Sequence, residues 1–538
     1  MDGVSVVAGH TGPGRSNGYG GAIIYEKQDN TRHKYSLLET GQTIGADGLH
    51  LQNYRLRGAT SQLKNTATKY DISYEALQTD GWRDHNETSR GNLFAHVEQR
   101  LADRSTLDFY LVNTNLRGEI PSSLSLEDFE TRPESAAAFW QNADGNEDYR
   151  RTIAGLTYTK SSVIGTIKLT PYMTRFVSDE LRPFNRELQN NTTYGLRAQL
   201  ERRLWSKGSQ SVNLLTGYDL QHDDVDIRQI SNQGEISTLD IDHQTNQSAY
   251  LSGSYLSSDW TITAGIDVTG LKTDDADYDP LYISPSLEAR YRVNRQWSAY
   301  TRAGRGYNQP TLDLLLVNTV EASQADEVTI GLDYKETIGK TSIEWTAAAY
   351  RMWTDRELTT VLLDEESIVI NGPASTITGL DLSGSVVTPI GRSTLSVMGS
   401  YTLLKTEVTE EEEATLIGKA WTAVPQHQGY LNTTYTIGGV SLSARASHFS
   451  SMYIDTRNTL SSDSYTILRS RLSYHHPKRL LNDRLTLQGM VEIDNLTDIN
   501  YSSMVLPTTG SISPTGRYYY PGQPRNLLVQ VKVGYYLW

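Results

Sequence analysis

The sequence predicts an all-β fold, a transmembrane antiparallel β-barrel of about 22 strands, on three observations: period-2 alternation, connections that are short at one rim and long at the other, and composition. Only 37% of the 538 residues are hydrophobic, mean hydropathy is −0.48, and no stretch reaches the roughly 18 consecutive apolar residues of a spanning helix. A helical membrane protein is thereby excluded. A barrel with a wet lumen tolerates this composition, because only alternate residues meet lipid. The 33 tyrosines and 42 glycines also point to strands. With no cysteine, a disulfide framework, a thiolate zinc site and a cysteine nucleophile are ruled out. Acidic residues (63) exceed basic ones (49), and the net charge of −14 removes any general attraction to nucleic acid.

Four segments show the alternation best. Trp260, Ile262, Ala264, Ile266 and Val268 share one face, with Thr261, Thr263, Gly265, Asp267 and Thr269 on the other. Val328, Ile330, Leu332 and Tyr334 oppose Thr329, Gly331, Asp333 and Lys335; Ile343, Trp345, Ala347 and Ala349 oppose Ser342, Glu344 and Thr346. Val440, Leu442, Ala444 and Ala446 oppose Ser441, Ser443, Arg445 and Ser447. Soluble sandwiches alternate too, but their strands run about 5–6 residues and their connections are short at both ends.

Here the short connections are 101–105, 161–163, 205–209, 257–259, 294–296, 337–340, 389–392 and 437–439. Long polar ones lie between them, at 115–149, 177–191, 221–247, 272–282, 305–325, 354–375, 406–426, 450–464 and 498–521. Two further long connections and one short one near the start, with a short one inside 475–483, bring the total to about 11 long and 10 short. Closed barrels in bacterial outer membranes carry short periplasmic turns and long extracellular loops in this way. Trp205, Trp260 and Trp297 flank short turns and Trp345 lies just inside one, as an interfacial aromatic belt requires. The polar face then lines the lumen, which at about 22 strands is too wide for side chains to fill and is expected to be plugged.

The clearest sequence motifs lie near the C-terminus. Residues 491–501 (VEIDNLTDINY) and 516–526 (GRYYYPGQPRN), running into a last strand, resemble the closing segment of TonB-dependent outer-membrane receptors. Residues 300–312 (YTRAGRGYNQPTL) and 418–427 (GKAWTAVPQH) are similar to two further strand entries of that family. Residues 16–25 (SNGYGGAIIY) look like the last strand of its plug domain. The resemblance implies residues 1–30 as the remnant of a plug and 31–538 as the barrel. It also implies an outer-membrane location, a monomer, and import of a scarce ligand with energy from TonB–ExbB–ExbD, acting through the plug, most of which is expected to be missing here, and a TonB box expected before it. The barrel assembly machinery and lipopolysaccharide are the other partners it implies. The start, MDGVSVVAGHTGPG, lacks the basic and apolar regions of a signal peptide and reads as an internal cut. Two departures stand out. Val529, Val531, Val533, Tyr535 and Leu537 share a face, so terminal Trp538 falls on the other one. Residues 306–310 have no nearby histidine, which argues against haem.

No HExxH, Walker or GxSxG motif is present, so neither an enzyme nor a cofactor is expected. Adjacent His475 and His476 would point to opposite faces of a strand before Pro477 and make no metal pair. His222 and His243 share a long loop with Asp223, Asp224 and Asp226, where a solvated loop is expected in preference to a metal site. Glu410–Glu413 reads as a solvated tip, with divalent bridging to lipopolysaccharide as the alternative.

The ligand candidates are the arginines and aromatics of the long-loop rim: Trp82, Arg83, His85, Trp140, Arg175, Arg182, Phe184, Arg186, Arg305, Tyr307, Trp353, Arg356, Arg517 and Tyr518, with Arg150 and Tyr520 beside them. A guanidinium fork matches carboxylate or hydroxamate oxygens, and an aromatic face packs the organic scaffold. Loop arginines also pair with loop carboxylates, so only part of the set is expected at a ligand. The leading expectation is a receptor and transporter for a ferric siderophore or similar anionic iron chelate. The alternatives are a passive specific-diffusion porin, uptake of a non-iron cofactor, vitamin or sugar, and a barrel enzyme or adhesin, which the strand number disfavours.

Overall fold

In a computed structural model the described residues are 3–8, 18–19, 21–26, 36–60, 67–231, 234–274, 279–310, 320–363, 366–411, 414–476, 479–509, 512–513 and 515–537. Twenty-two strands form one closed antiparallel barrel in which each pairs with its neighbours in sequence. The first, Leu37–Gly45, and the last, Asn526–Tyr536, pair from Leu528↔Gly45 to Tyr536↔Leu37. That seam leaves no free strand edge, which the hydrocarbon core of a bilayer demands. Gly3–Ala8 and Gly21–Glu26 form a separate two-stranded sheet. Between those strands Tyr19 bonds the Ser323 hydroxyl at 2.5 Å and donates to the Glu357 carboxylate, so this segment touches the long-loop rim.

Face assignment follows the alternation. Ile330 and Leu332 are exposed while Glu327 and Thr329 are buried, and Ile266 is exposed while Asp267 and Thr269 are buried. The outer face is therefore apolar and the inner one polar. Ion pairs tie strands together around the inner wall, most between neighbours and one, Arg290–Asp333, across the strand Trp297–Asn308. Arg55 meets Asp71 at 2.5 Å, Arg197 meets Asp219 at 2.5 Å, and Glu39 takes both Arg57 and Lys532 at 3.2 Å. Arg290 pairs with Asp333, Arg471 with Glu492 and Arg469 with Asp494.

Four inner tyrosines lie flat over glycines directly opposite on the next strand: Tyr172 over Gly195, Tyr250 over Gly217, Tyr300 over Gly331 and Tyr350 over Gly379. A Cβ at any of these glycines would stand well inside contact distance of the ring. Glycine weakens a strand interior, and here the close approach of the ring is what requires it.

At the short-turn rim, Trp260 stacks near Tyr291 at 4.6 Å, and Trp297 lies 5.0 Å from both Tyr334 and Trp345. These outward pairs form the interfacial belt. In vesicles, lipids brominated near the headgroup will quench tryptophan emission strongly. Trp205→Phe and Trp260→Phe, which remove two exposed rings, will each lower the quenched fraction; equal quenching by aqueous iodide would place the belt out of lipid.

Two expected loops are corrected. Most of 177–191 and 221–247 is strand: Gly165–Leu181, Asn185–Lys207, Gln210–Ser231 and Ile236–Leu256 run on past the lipid, with 182–184 as the turn of the first pair. The connection at 450–464 is as expected, whereas 46–49 is a tight turn on the long-loop rim. Ser16, Asn17, Gly20, Thr311, Leu312, Glu412, Glu413, Pro477 and Trp538 lie outside the described residues.

Candidate functional site

Loops from distant parts of the long-loop rim pack into one roof. Met452, Ile454, Val505, Tyr518 and Tyr519 form a buried cluster, with Phe129, Ala423 and Leu460 against it. The 120–145 loop starts from the strand Thr106–Glu119 and the 495–525 loop from Leu485–Asp494, with five barrel strands between them. They meet nonetheless: Leu124 N–H donates to the Tyr519 carbonyl at 2.8 Å, while the N–H groups of Tyr518 and Tyr519 donate to the Leu124 carbonyl at 3.0 and 3.1 Å. Asn500 Nδ2 donates to the Phe129 carbonyl at 3.0 Å. Within 120–145 the short helix Leu126–Thr131 is capped by Ser125, whose Oγ accepts from Asp128 N–H.

Arg83 locks a third loop to this roof. Its buried guanidinium donates to the carbonyls of Ser135 (2.8 and 3.2 Å), Ser122 (2.7 Å) and Pro121 (3.4 Å). Burial pushes it down to about 10, so it stays charged at neutral pH. His85 bonds the Gly145 carbonyl at 2.8 Å, and half-buried Trp82 lies in the same turn. Tyr518 is part of the roof core. Arg83, His85 and Tyr518 hold the roof in shape.

Beside the core lies a cation–aromatic cluster. The Arg517 guanidinium sits 3.7 Å above the Phe139 ring, with Phe184 at 5.9 Å and Trp140 at 6.5 Å from that ring. Phe139 and Trp140 come from the short helix Ala138–Asn142 and Phe184 from the turn 182–184. Arg182 adjoins them, donating to Glu180 at 2.5 Å and Glu187 at 3.0 and 3.1 Å. Burial works against its charge, but the two carboxylates outweigh burial and raise the guanidinium above its ordinary value.

The remaining candidates stand apart. Register carries Arg175, Arg186, Arg305, Tyr307 and Trp353 onto the outer face, continuous with the lipid-facing residues below them. Arg186 is held by Asp179 at 2.5 and 2.8 Å and Arg305 by Asp326 at 2.8 Å. Arg356 pairs with Glu321 and, at 3.1 Å, with Asp355. Arg150 donates to Asn115 at 2.8 Å and Arg175 to Asn190 at 3.4 Å, and both line an outer groove of about 1190 Å³ together with Arg117 and Arg228.

A family model described as "TonB dependent receptor-like, beta-barrel" matches residues 12–496. The chain belongs to the TonB-dependent receptor family. Among solved structures, the unliganded ferric citrate transporter FecA superposes with a TM-score of 0.76 at 14% identity, covering 95% of this chain and 80% of that one. The siderophore receptor PiuA from Acinetobacter baumannii gives 0.76 at 14%, covering 99% and 86%. The copper transporter OprC gives 0.75 at 14%, covering 99% and 85%.

As a TonB-dependent receptor barrel, the chain is an outer-membrane protein with the roof on its long-loop rim. Of the residues selected in this receptor's sequence, the structure gathers Trp140, Phe184 and Arg517 around one ring and sets Arg182 beside them. Phe139, the ring at the centre, is not among the rim residues that the sequence singles out. Its signal is the adjacent aromatic pair Phe139–Trp140 in the 120–145 loop.

Proposed function

We propose that this receptor binds an anionic ferric chelate of the siderophore class at the roof and imports it with TonB-supplied energy. The carrying observation is the Arg517–Phe139–Phe184–Trp140 cluster, in which Phe184 keeps 48% of its surface exposed. A guanidinium over an aromatic face offers a hydrogen-bonding edge to chelate oxygens and a flat apolar surface to its scaffold. Coupling runs through the plug, whose end we assign to residues 1–30, with TonB–ExbB–ExbD as the motor. Arg150 and Arg175, bonded to amides on the outer wall, suit the phosphates of surrounding lipopolysaccharide.

The test is growth under iron limitation with and without the gene, supplying single ferric chelates. At least one chelate will support growth only when the gene is present; no difference with any chelate overturns the reading. With that chelate in hand, Arg517→Ala will weaken binding about tenfold, roughly 1.4 kcal/mol, as read by titration of the purified receptor. Arg517→Lys will recover part of the loss, since it keeps the charge and loses the fork.

A further inference from the structure

We infer that His222, Asp224 and His243 form a binding site for a divalent transition metal of the zinc or copper class on the outer wall of the barrel, above the lipid. The two strands that carry it are Gln210–Ser231 and Ile236–Leu256. Their register sets Asp224 directly opposite His243 and His222 opposite Thr245. His222 and Asp224 are two apart on one strand, so all three side chains leave the same face of the sheet. It is the face of exposed Tyr194 and Tyr218, opposite the inner face that carries Arg197 and Asp219.

The distances fit a metal. One ligand atom from each residue lies within 4.8 Å of the others. His222 Nε2 is 3.3 Å from Asp224 Oδ1, and His243 Nδ1 is 2.7 Å from the same oxygen. Tetrahedral bonds of about 2.0–2.2 Å separate ligand atoms by roughly 3.3 Å, so one pair is already in place and the other must open by about half an ångström. The imidazoles lie near-parallel with centroids 5.7 Å apart. His222 Nδ1 is held by the Thr245 hydroxyl at 3.0 Å, which orients the ring and turns Nε2 toward Asp224.

Two imidazoles and one carboxylate favour zinc or copper over calcium or magnesium, which take all-oxygen sets. Neighbouring charges do not turn the place into an acidic patch: Asp226 is paired with Arg228 at 3.1 Å, and Lys272 stands opposite Thr245 on the next strand. A fourth coordination position is left to water or an incoming ligand. The site also lies where support ends. The strand Trp260–Thr273 ends its register at Gln244↔Thr273, with a backbone bond beyond it from Asp274 N–H to the His243 carbonyl at 3.2 Å. A metal there would staple the two strands at the base of the hairpin that rises beyond.

The test uses metal-stripped receptor in detergent and Zn²⁺ in competition with a chromogenic chelator. One Zn²⁺ will bind per chain, and His243→Ala and Asp224→Asn will each weaken that site at least tenfold. His85→Ala, which alters the other three-ligand group of His85, Glu119 and Asp144, will leave it unchanged. Heat-modifiable mobility in detergent gels confirms that each variant is a closed barrel. Zn²⁺ will also slow amide exchange over 236–245 in the wild type and not in His243→Ala. Unaltered zinc affinity in both His243→Ala and Asp224→Asn, or no bound zinc in the wild type, overturns the proposal.

Discussion

Arg83→Ala is expected to open the loop roof while leaving the barrel closed. Arg83 is 8% exposed, and its guanidinium makes four donations to three carbonyls of the 120–145 loop. A hydrogen bond to a charged group contributes about 1.5–3 kcal/mol, and each buried acceptor left without a partner adds its own desolvation cost. Local destabilisation of the roof by about 3–5 kcal/mol follows. Arg83→Lys will recover little, because an ammonium on one stem cannot reach carbonyls that a planar fork addresses together.

The pH behaviour has a definite sign. Burial lowers the Arg83 guanidinium from its ordinary value to about 10, against the smaller opposing pull of Tyr520 and Asp84, so charging it is costlier in the folded roof than in the open one. Since both forms stay protonated well below 10, the tightness Arg83 gives the roof will be flat between about pH 6 and 8. The measurement is limited proteolysis of whole cells. Cleavage within 120–145 will rise at least tenfold in Arg83→Ala, with unchanged barrel melting in detergent. Wild-type cleavage would show that the Leu124–Tyr519 pairing and the Met452–Tyr519 core hold the roof without Arg83. Ligand affinity will fall in the same variant, because the helix bearing Phe139 and Trp140 follows directly on Ser135.

The barrel was legible in the sequence because lipid imposes a one-sided pattern: strands such as Trp260–Thr273 have an apolar outer row and a polar inner row. The same physics explains the misread loops. Above the lipid both faces of a strand are wet, so hydrophobic contrast vanishes although the backbone ladder continues. In the strand Gly165–Leu181, Leu169 and Met173 mark the outer face, and the row continues as Arg175, Val177 and Asp179, where charges break the apolar signal. Reading for contrast therefore ends a strand where the lipid ends.

That also decides how much of the site could be seen. Carrying the phase upward from Met173, or from Val328 and its partner Ala303, would have placed Arg175 and Arg305 on the outer wall from the sequence alone. The convergence of Arg517 on Phe139 has no local signal, because it depends on two loops meeting across five strands. The alignment of His222, Asp224 and His243 is of the same kind: within a loop they are neighbours in composition only, and a register makes them neighbours in space.

Gly217→Val is expected to be the most damaging single substitution in the barrel wall. A Cβ there would overlap the ring of Tyr250, which is 4% exposed, and stand 2.6 Å from the carbonyl oxygen of Ala198 on the other side. The ring can yield only by leaving its place against the wall. The carbonyl belongs to a ladder whose register, Ala198↔Tyr218 and Gln199↔Gly217, is fixed along the strand. Overpacking costs about 1–3 kcal/mol where neighbours can shift, and here one of the two cannot.

Gly331→Val provides the contrast, because the three atoms nearest its Cβ all belong to the Tyr300 ring. Removing that ring in Gly331→Val/Tyr300→Ala will restore most of the lost melting temperature, whereas Gly217→Val/Tyr250→Ala will recover only part, the Ala198 carbonyl still being in the way. Thermal loss of the closed form on detergent gels reads both pairs. Equal rescue in the two pairs would mean that the ladder between Asn185–Lys207 and Gln210–Ser231 gives way as readily as a side chain. The closed sheet argues otherwise: a strand with partners on both sides cannot move its backbone without disturbing both ladders.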